Sequence, residues 1–159
     1  MIPYADTNFF TRYYLEVAES ALVTSLAEEA ERHGAPPLPV TWLHRMEVCH
    51  ALQLHVFQGP QPGHKRVTPE QAAAAYAIFR EELDRQMLLR RVALVTDDLE
   101  KQFEELCARH TANHGFRAYD LLPVSSALIL KCDTFWSFDL KANQLAILEG
   151  LRVLGAQAN

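Results

Sequence analysis

Long apolar runs and a recognisable export signal are both missing from this chain of 159 residues. No run of about 18 uncharged apolar residues occurs, and the start MIPYADTNFF lacks the basic and apolar segments of a signal peptide. We therefore expect a soluble, cytoplasmic protein with no membrane partner. Hydrophobic residues make up 49% of the chain, which is enough for a single compact domain spanning 1–159.

Cysteine and glycine motifs are equally scarce. Cys49, Cys107 and Cys132 are widely spaced and form no C-x-x-C pair, so we interpret them as small buried hydrophobic residues rather than zinc ligands. No glycine-rich phosphate loop, G-x-G-x-x-G fingerprint or G-x-S-x-G elbow occurs. Asn8 stands where an aspartyl-phosphate enzyme would need a second acid after Asp6. These absences argue against nucleotide-binding, serine-hydrolase and aspartyl-phosphate chemistry.

Positive charge is in deficit too, since the formal net charge is −5. Such a chain does not coat nucleic acid through general electrostatics. A local basic rim around an acidic centre is still compatible with this charge.

Strand and helix signals alternate along the chain. Ile2 to Ala5 is a short apolar strand that ends at Asp6, and Thr7 and Asn8 suit a turn after it. Helical spacing then runs from Asn8 to His33, with a break near Glu19–Ser20. Leu38 to Val40 predicts a second strand.

The middle of the chain continues this alternation. Thr41 is predicted to cap a helix with an apolar stripe formed by Met46, Cys49, Leu52 and Val56. Gln58 to Thr68 is predicted as a loop. Thr68, Pro69 and Gln71 have the pattern of a capping box for a helix that ends near Arg85. Within the mostly apolar segment Met87–Val95, a strand that includes Val92 to Val95 is expected. A helix opened by Asp97 and Glu100 is expected to reach Asn113.

The last third supplies the remaining elements. Asp120 is predicted to cap a helix that has Pro123 in its first turn, and Thr134 to Phe138 is predicted as a buried strand. A helix over Lys141–Gly150 and an edge strand over Leu151–Leu154 complete the pattern. Alternating strands and helices predict an α/β fold with a central parallel sheet of four to five strands flanked by helices.

Four acids stand where this fold would bring functional groups together. Asp6 and Asp139 directly follow predicted strands, and such sheets gather ligands outside the carboxyl ends of their strands. Glu47 lies among apolar residues, and Asp120 opens a helix. Carboxylates a few Å apart do not all stay ionised at neutral pH without a cation among them. The pattern therefore predicts a divalent-metal site.

Each acid also has an ordinary alternative. Asp6 and Asp139 could simply cap the helices that follow them, and Asp120 could be only an N-cap. Glu47 could form a surface salt bridge with Arg45 or His50.

Four short segments in order resemble the PIN-domain family, and most of all the VapC-type toxin ribonucleases of toxin–antitoxin pairs. The segments are A-D-T-N at 5–8, M-E-V-C-H-A-L at 46–52, R-A-Y-D-L-L-P-V-S-S-A-L at 117–128 and F-W-S-F-D-L-K-A-N-Q-L-A at 135–146. The resemblance implies a single PIN-like domain over 1–159. It also implies a pocket that binds Mg²⁺ or Mn²⁺.

The same resemblance assigns the site residues and the partners. Asp6, Glu47, Asp120 and Asp139 match the four acids of the family as catalytic residues and metal ligands, with Asn8, Ser137 and Asn143 in supporting positions. It implies RNA as substrate, a cognate antitoxin protein as partner and a homodimer. Two features depart from the family: Pro123 replaces a frequent histidine, and the Gln58–Thr68 loop is long.

Three hypotheses for the function follow. The first is a metal-dependent endoribonuclease that acts as the toxin of a type II toxin–antitoxin pair. The alternatives are a PIN nuclease of housekeeping RNA processing and a catalytically inactive PIN-like binding scaffold.

Overall fold

The computed structural model describes residues 1–15, 17, 19–59 and 66–155. Its elements in chain order are β1 (Pro3–Ala5), α1 (Thr7–Tyr14), α2 (Ser20–Arg32), β2 (Leu38–Val40), α3 (Trp42–Gln58), α4 (Pro69–Arg85), β3 (Leu89–Arg91), α5 (Thr96–Leu106), a π-helical turn (Cys107–Thr111), α6 (Ala112–His114), α7 (Ala118–Ile129), β4 (Thr134–Ser137), α8 (Leu140–Leu148) and β5 (Arg152–Gly155). Across the described ranges, no helix is both long and apolar enough to cross a membrane.

The chain forms two compact units. The first unit combines Met1–Asp6 with the chain from Ala93 onward, and the second is the continuous segment Thr7–Val92. One PIN-like domain over 1–159 stays a prediction for the chain as a whole.

The first unit is built on a three-stranded sheet in the order β1-β4-β5. Both pairings are parallel, with Tyr4 opposite Phe135 and Phe135 opposite Val153. The rings of Tyr4 and Phe135 stack with centroids 5.7 Å apart, and both side chains are buried. Helix α7 packs against α5 and α8. Because β1 and β4 run in parallel, their carboxyl ends lie at the same edge of this sheet.

The second unit has a two-stranded parallel sheet, β2 with β3, in which Leu38 lies opposite Leu89. Helices α1, α3 and α4 pack on one another around buried aromatic rings. The ring of Phe10 meets that of Phe79 edge to face at 5.9 Å, and Phe79 is fully buried. The Tyr14 hydroxyl donates to the Glu82 carboxylate. Burial raises the pKa of Tyr14 above its usual range, and that hydrogen bond adds to the effect.

The predicted α/β class and parallel pairing are confirmed, but the five strands are divided between two sheets of three and two strands. Both threonine caps are also confirmed. Thr41 accepts from the His44 N–H, and Thr68 forms a capping box with Gln71 before Pro69. The break between α1 and α2 is confirmed at Glu19, whose φ is 62°.

Several predicted boundaries are wrong. The third strand, Leu89–Arg91, lies within the predicted segment Met87–Val95 but does not include Val92–Val95, because Thr41 caps α3 and ends β2 at Val40. The Val92 N–H donates to the Val40 carbonyl at 3.1 Å, directly after the paired residues of β2 and β3. Val95 stands at the N-cap of α5 without a side-chain bond, so the predicted cap by Asp97 is wrong.

Helices α1 and α7 differ from prediction at their starts. Thr7 and Asn8 are the first residues of α1 rather than a turn. Arg117 is the N-cap of α7, so Asp120 is its third residue and Pro123 its sixth, beyond the first turn. The last strand is shifted by one residue, to Arg152–Gly155. Of the predicted loop over Gln58–Thr68, residues 60–65 lie outside the described part of the chain.

The apolar stripe of α3 and the cysteines also need correction. The buried positions of α3 are Leu43, His44, Val48 and Leu52, whereas Met46 is 58% exposed. Cys132 is buried as predicted, but Cys49 is exposed and Cys107 is partly exposed. Helical spacing identified α3 correctly but assigned its inward face wrongly.

Candidate active site

A hydroxyl group connects two of the predicted acids in the first unit. Asp6 follows β1, and its N–H donates to the Trp136 carbonyl at 2.9 Å, which extends the pairing of β1 with β4 by one residue. Ser137, the last residue of β4, donates its Oγ–H to Oδ2 of Asp6 at 2.9 Å. Ser137 is fully buried, whereas Asp6 is half-buried.

The same hydroxyl oxygen also holds Asp139. The Asp139 N–H donates to Ser137 Oγ at 3.0 Å. Asp139 is the N-cap of α8, and its Oδ1 accepts from the N–H groups of Lys141 at 2.8 Å and Ala142 at 3.1 Å. The capping alternative for Asp139 is therefore observed, but it uses only one carboxylate oxygen. Oδ2 accepts no hydrogen bond from the described residues and remains available to a ligand.

Asn143 supports this arrangement from inside α8. Its Nδ2 donates to the Ser137 carbonyl at 3.0 Å, and its backbone N–H donates to the Asp139 carbonyl at 2.9 Å. Its Oδ1 is buried and has no hydrogen-bond partner within the described residues. An unpaired buried acceptor is costly, so a donor or a cation at this position would relieve it. The structure thus brings Asp6, Ser137, Asp139 and Asn143 together.

Asp120 lies on α7, the helix that packs against α8. It is 7% exposed, and its Oδ2 accepts from the Arg117 N–H at 2.7 Å. Its side chain therefore satisfies a backbone donor at the start of its own helix, although from the third helical position rather than the cap. Within the described chain, Oδ1 accepts no further hydrogen bond.

The remaining predicted residues belong to the second unit. Glu47 is half-buried on α3, and its Oε2 accepts from the Thr7 hydroxyl at 2.8 Å. Neither Arg45 nor His50 forms an ion pair with it among the described residues, so the salt-bridge alternative is not observed. Asn8 lies in the first turn of α1, where its carbonyl accepts from the Thr11 hydroxyl and the Arg12 guanidinium.

The contact between Thr7 and Glu47 was not predicted from the sequence. The position of Thr7 directly after Asp6, within the A-D-T-N segment, could have indicated that it lies near the candidate site. Because a hydroxyl at this position fixes one oxygen of Glu47, Thr7 orients that carboxylate.

A basic side chain lies close to Asp139 along α8. Lys141 donates its Nζ–H to the His114 carbonyl at 3.0 Å, and its ammonium lies 5.6 Å from the centroid of the Phe116 ring. These two contacts fix a positive charge two residues from the cap of α8.

The oxygen donors of this region suit a hard divalent cation. Carboxylate and amide oxygens are the protein ligands that Mg²⁺ and Mn²⁺ prefer, and Asp139 Oδ2 and Asn143 Oδ1 both lack partners in the described chain. Nevertheless, no group of three or more His, Cys, Asp or Glu side chains in the described residues could hold a metal ion as placed. Metal binding by the four acids therefore stays a prediction.

Two solved structures resemble the chain over almost its whole length. One is the VapBC2 complex from Rickettsia felis bound to a promoter DNA fragment. The match covers 98% of this chain and 98% of the matched chain, with a TM-score of 0.65 and 15% identity. The other is VapC20 from Mycobacterium tuberculosis, a toxin that cleaves the sarcin-ricin loop. The match covers 89% of this chain and 93% of VapC20, with a TM-score of 0.59 and 17% identity. No protein-family model and no curated protein matches the sequence.

These likenesses establish the fold. The chain has the VapC-like PIN-domain fold that the sequence motifs predicted. At identities of 15% and 17%, the comparison speaks for the fold alone.

Proposed function

We propose that this protein is a divalent-metal-dependent endoribonuclease that hydrolyses RNA phosphodiesters and acts as the toxin of a type II toxin–antitoxin pair. The observation that carries this proposal is the Ser137 hydroxyl, which holds both Asp6 and Asp139 at the carboxyl ends of β1 and β4 in a VapC-like fold. Ligand sites of parallel sheets occupy this edge.

Asp6 and Asp139 are the principal metal ligands in this proposal. Asp120 and Glu47 complete the donor set or orient water, as the family resemblance implies. When bound, Mg²⁺ or Mn²⁺ supplies Lewis-acid activation of water and neutralises charge that develops on the phosphodiester. The chain fixes one Asp6 oxygen through Ser137 and one Asp139 oxygen through the α8 cap. Water is the nucleophile, so no side chain has to form a covalent intermediate.

The metal requirement is tested by removing and restoring the cation. Wild-type protein is incubated with total RNA in Mg²⁺, in excess EDTA, and in EDTA followed by excess Mg²⁺ or Mn²⁺. We expect cleavage to stop in EDTA and to return with either cation. The exposed helix-start variant Asp98→Asn serves as control and should behave as wild type. Undiminished cleavage in EDTA would exclude the metal-dependent reaction.

The toxin role needs its own experiment, because a housekeeping nuclease would pass the EDTA test. VapC20 is described as a toxin, and the Rickettsia felis structure is a VapBC2 complex. By analogy with the complex, we propose a cognate antitoxin for this chain, and from the family resemblance of the sequence we propose a homodimer. Induced expression in a bacterial host should arrest growth, and a short, adjacently encoded partner should relieve the arrest. Normal growth alongside RNA cleavage would favour housekeeping RNA processing.

A binding scaffold without catalysis is the second candidate. It is favoured by the finding that, across the described ranges, no three acidic, histidine or cysteine side chains are placed to hold a metal. Titration calorimetry with Mn²⁺ separates the two proposals. Binding that is lost in Asp139→Asn supports the nuclease, and no binding in the low millimolar range supports the scaffold.

A further inference from the structure

Large apolar side chains stand exposed beside two acids of the candidate site. Tyr119 directly precedes Asp120 near the start of α7 and is 80% exposed. Leu140 directly follows Asp139 at the start of α8 and is 65% exposed. Both helices belong to the first unit and pack against each other. The acids of this unit are therefore accompanied by apolar surface that the described residues leave open to solvent.

The starts of these two helices lie close together. Lys141, in the first turn of α8, donates its Nζ–H to the His114 carbonyl at 3.0 Å. Its ammonium also lies 5.6 Å from the centroid of the buried Phe116 ring. Because Phe116 directly precedes Arg117, the N-cap of α7, these contacts place the first turn of α8 beside the entry into α7. Tyr119 and Lys141 thus belong to one local surface.

The Tyr119 side chain has no partner in the described part of the chain. It forms no aromatic contact and no hydrogen bond there. A lone exposed aromatic ring is common on protein surfaces and needs no function by itself. The position of this ring beside Asp120 and between two cations is what distinguishes it.

Those cations are Arg117 and Lys141. Both are exposed, and neither forms an ion pair with the described residues. The Lys141 ammonium has three N–H donors, of which the His114 carbonyl takes one. These two residues supply local positive charge in a chain whose net charge is −5.

An open aromatic ring next to two available cations defines the ligand. We propose that Tyr119 is a substrate-binding residue that stacks on an unpaired base of single-stranded RNA, while Arg117 and Lys141 contact neighbouring phosphates. Proteins hold single strands by this combination of stacking and charge. The proposal rests on the proposed nuclease function and adds how its substrate is held. Stacking accepts any base but requires that the base be unpaired.

A protein partner that covers Tyr119 is the competing explanation for its exposure. An apolar protein surface gains nothing from the two adjacent cations, whereas a phosphate-bearing strand uses the ring and the charges together. The composition of this surface therefore favours RNA, and the protein partner becomes an outcome of the test.

The binding experiment compares a short fluorescein-labelled single-stranded RNA with the same strand annealed to its complement. Fluorescence anisotropy is measured in excess EDTA, so that metal-dependent hydrolysis does not consume the probe. The proteins are wild type, Tyr119→Ala, Tyr119→Trp and the control Phe57→Ala, which removes an 86% exposed ring from the second unit. Circular dichroism confirms that each variant is folded.

We expect Tyr119→Ala to bind the single strand about tenfold more weakly than wild type, because one stacked base is lost. Tyr119→Trp should bind at least as tightly as wild type, and Phe57→Ala should bind equally. The duplex should bind wild type and Tyr119→Ala alike, since its bases are already stacked on one another.

Stacking also has a spectroscopic signature that a merely structural role would not produce. A 2-aminopurine base placed at successive positions of the strand should lose fluorescence at one of them on binding to wild type or Tyr119→Trp. It should keep that fluorescence on binding to Tyr119→Ala. Unchanged quenching in Tyr119→Ala would contradict the stacking contact.

Salt dependence tests the two cations. Each phosphate contact to a single strand contributes about 0.7 to the slope of log K against log salt, so Arg117→Gln/Lys141→Gln should reduce this slope by about 1.4. An unchanged slope would remove these residues from the phosphate contacts.

Cleavage in Mg²⁺ separates this inference from the proposed nuclease function. Tyr119→Ala should raise the KM for single-stranded RNA about tenfold and change kcat less. Cleavage with equal KM and equal affinity in wild type and Tyr119→Ala would overturn the inference, retain the nuclease and assign the exposed ring to a protein partner. Binding that depends on Tyr119 without cleavage by wild type would support the inference and contradict the nuclease. Absence of RNA binding to wild type at high micromolar concentration would overturn the inference.

Discussion

The two units differ in what their polar side chains do. In the first unit, Asp6, Ser137 and Asp139 are linked by hydrogen bonds at one end of a parallel sheet. In the second unit, Arg45 and Arg80 flank an open apolar groove without partners among the described residues. Carboxylates fixed by hydrogen bonds are suited to holding a cation, and exposed cations are suited to meeting a charged partner. The centre of the candidate chemistry therefore lies in the first unit, whereas the second unit carries the exposed groove together with Glu47.

The cores of the units differ as well. The first unit packs aliphatic residues of α7 and α8 around the stacked Tyr4–Phe135 pair. The second unit relies on edge-to-face aromatic contacts, with Phe79 touching Phe10 and Tyr14. A three-stranded sheet anchors the first core, whereas only a two-stranded pair accompanies the second. We therefore expect the second unit to depend more heavily on single aromatic residues.

The largest expected effect is the loss of Phe79. Phe79→Ala removes a fully buried ring from three aromatic neighbours and should lower the free energy of unfolding by about 3–5 kcal/mol. Phe57, which is 86% exposed, is the matched control, and Phe57→Ala should change stability by less than about 0.5 kcal/mol. Urea denaturation measures both variants. Similar effects of the two substitutions would refute the packing of the second unit.

The next effect concerns the polar link in the first unit. Ser137→Ala leaves Asp6 Oδ2 and the Asp139 N–H without their shared partner, so RNA cleavage should fall about 10–100-fold. Mn²⁺ affinity should fall with it, which a purely structural role would not produce. Ser137→Thr retains the hydroxyl and should restore most of the activity.

Ser125→Ala is the matched control for Ser137→Ala. The Ser125 hydroxyl is buried and has no hydrogen-bond partner within the described chain, so its removal should leave cleavage unchanged and stability unchanged or higher. Equal losses of cleavage in the two serine variants would show that Ser137 does not position the acids.

The smallest expected effect on stability concerns Asp133, which lies at the amino-terminal ends of β1 and β4. The Thr134 hydroxyl, the Ile2 N–H and Arg152 hold the pKa of Asp133 down at about 2. Because the pKa of Asp133 is lower in the folded state, the ionised side chain stabilises the fold at pH values above its ordinary pKa. This contribution is lost as the pH falls through the pKa of the folded state. Because the side chain is 45% exposed, Asp133→Asn should cost only about 0.5–1 kcal/mol at pH 7.

Denaturation from pH 7 to pH 2 measures this contribution. The stability difference between wild type and Asp133→Asn should stay constant down to about pH 4 and shrink between pH 4 and pH 2. A difference that persists unchanged at pH 2 would rule out the ionised carboxylate as its source.

Local signals in the sequence were sufficient for much of the fold. The Thr41 and Thr68 caps, the break at Glu19 and strand β4 follow from residues that are neighbours in the chain. The proximity of Asp6 and Ser137 follows from one further rule: the carboxyl ends of parallel strands lie at the same edge of a sheet. The sequence therefore predicted the fold class and the proximity of Asp6 to the end of β4, whereas the role of these residues in a metal site stays a prediction.

The errors arose where the outcome depends on distant partners. Strand β3 lies at Leu89–Arg91 because β2 ends at Val40, which the local β-propensity of Val92–Val95 does not reveal. The inward face of α3 follows Val48 and Leu52 rather than Met46, since α1 and α4 determine which side is covered. The Thr7–Glu47 hydrogen bond joins residues 40 positions apart and has no local signature.

The most direct test of the nuclease proposal is the rate of RNA cleavage by Asp6→Asn in Mg²⁺, relative to wild type and to Asp133→Asn. Asparagine preserves the shape of Asp6 but removes the charge that a divalent cation needs. We predict a loss on the order of 100-fold or more for Asp6→Asn and near wild-type cleavage for Asp133→Asn. Cleavage by folded Asp6→Asn at the wild-type rate would contradict the account.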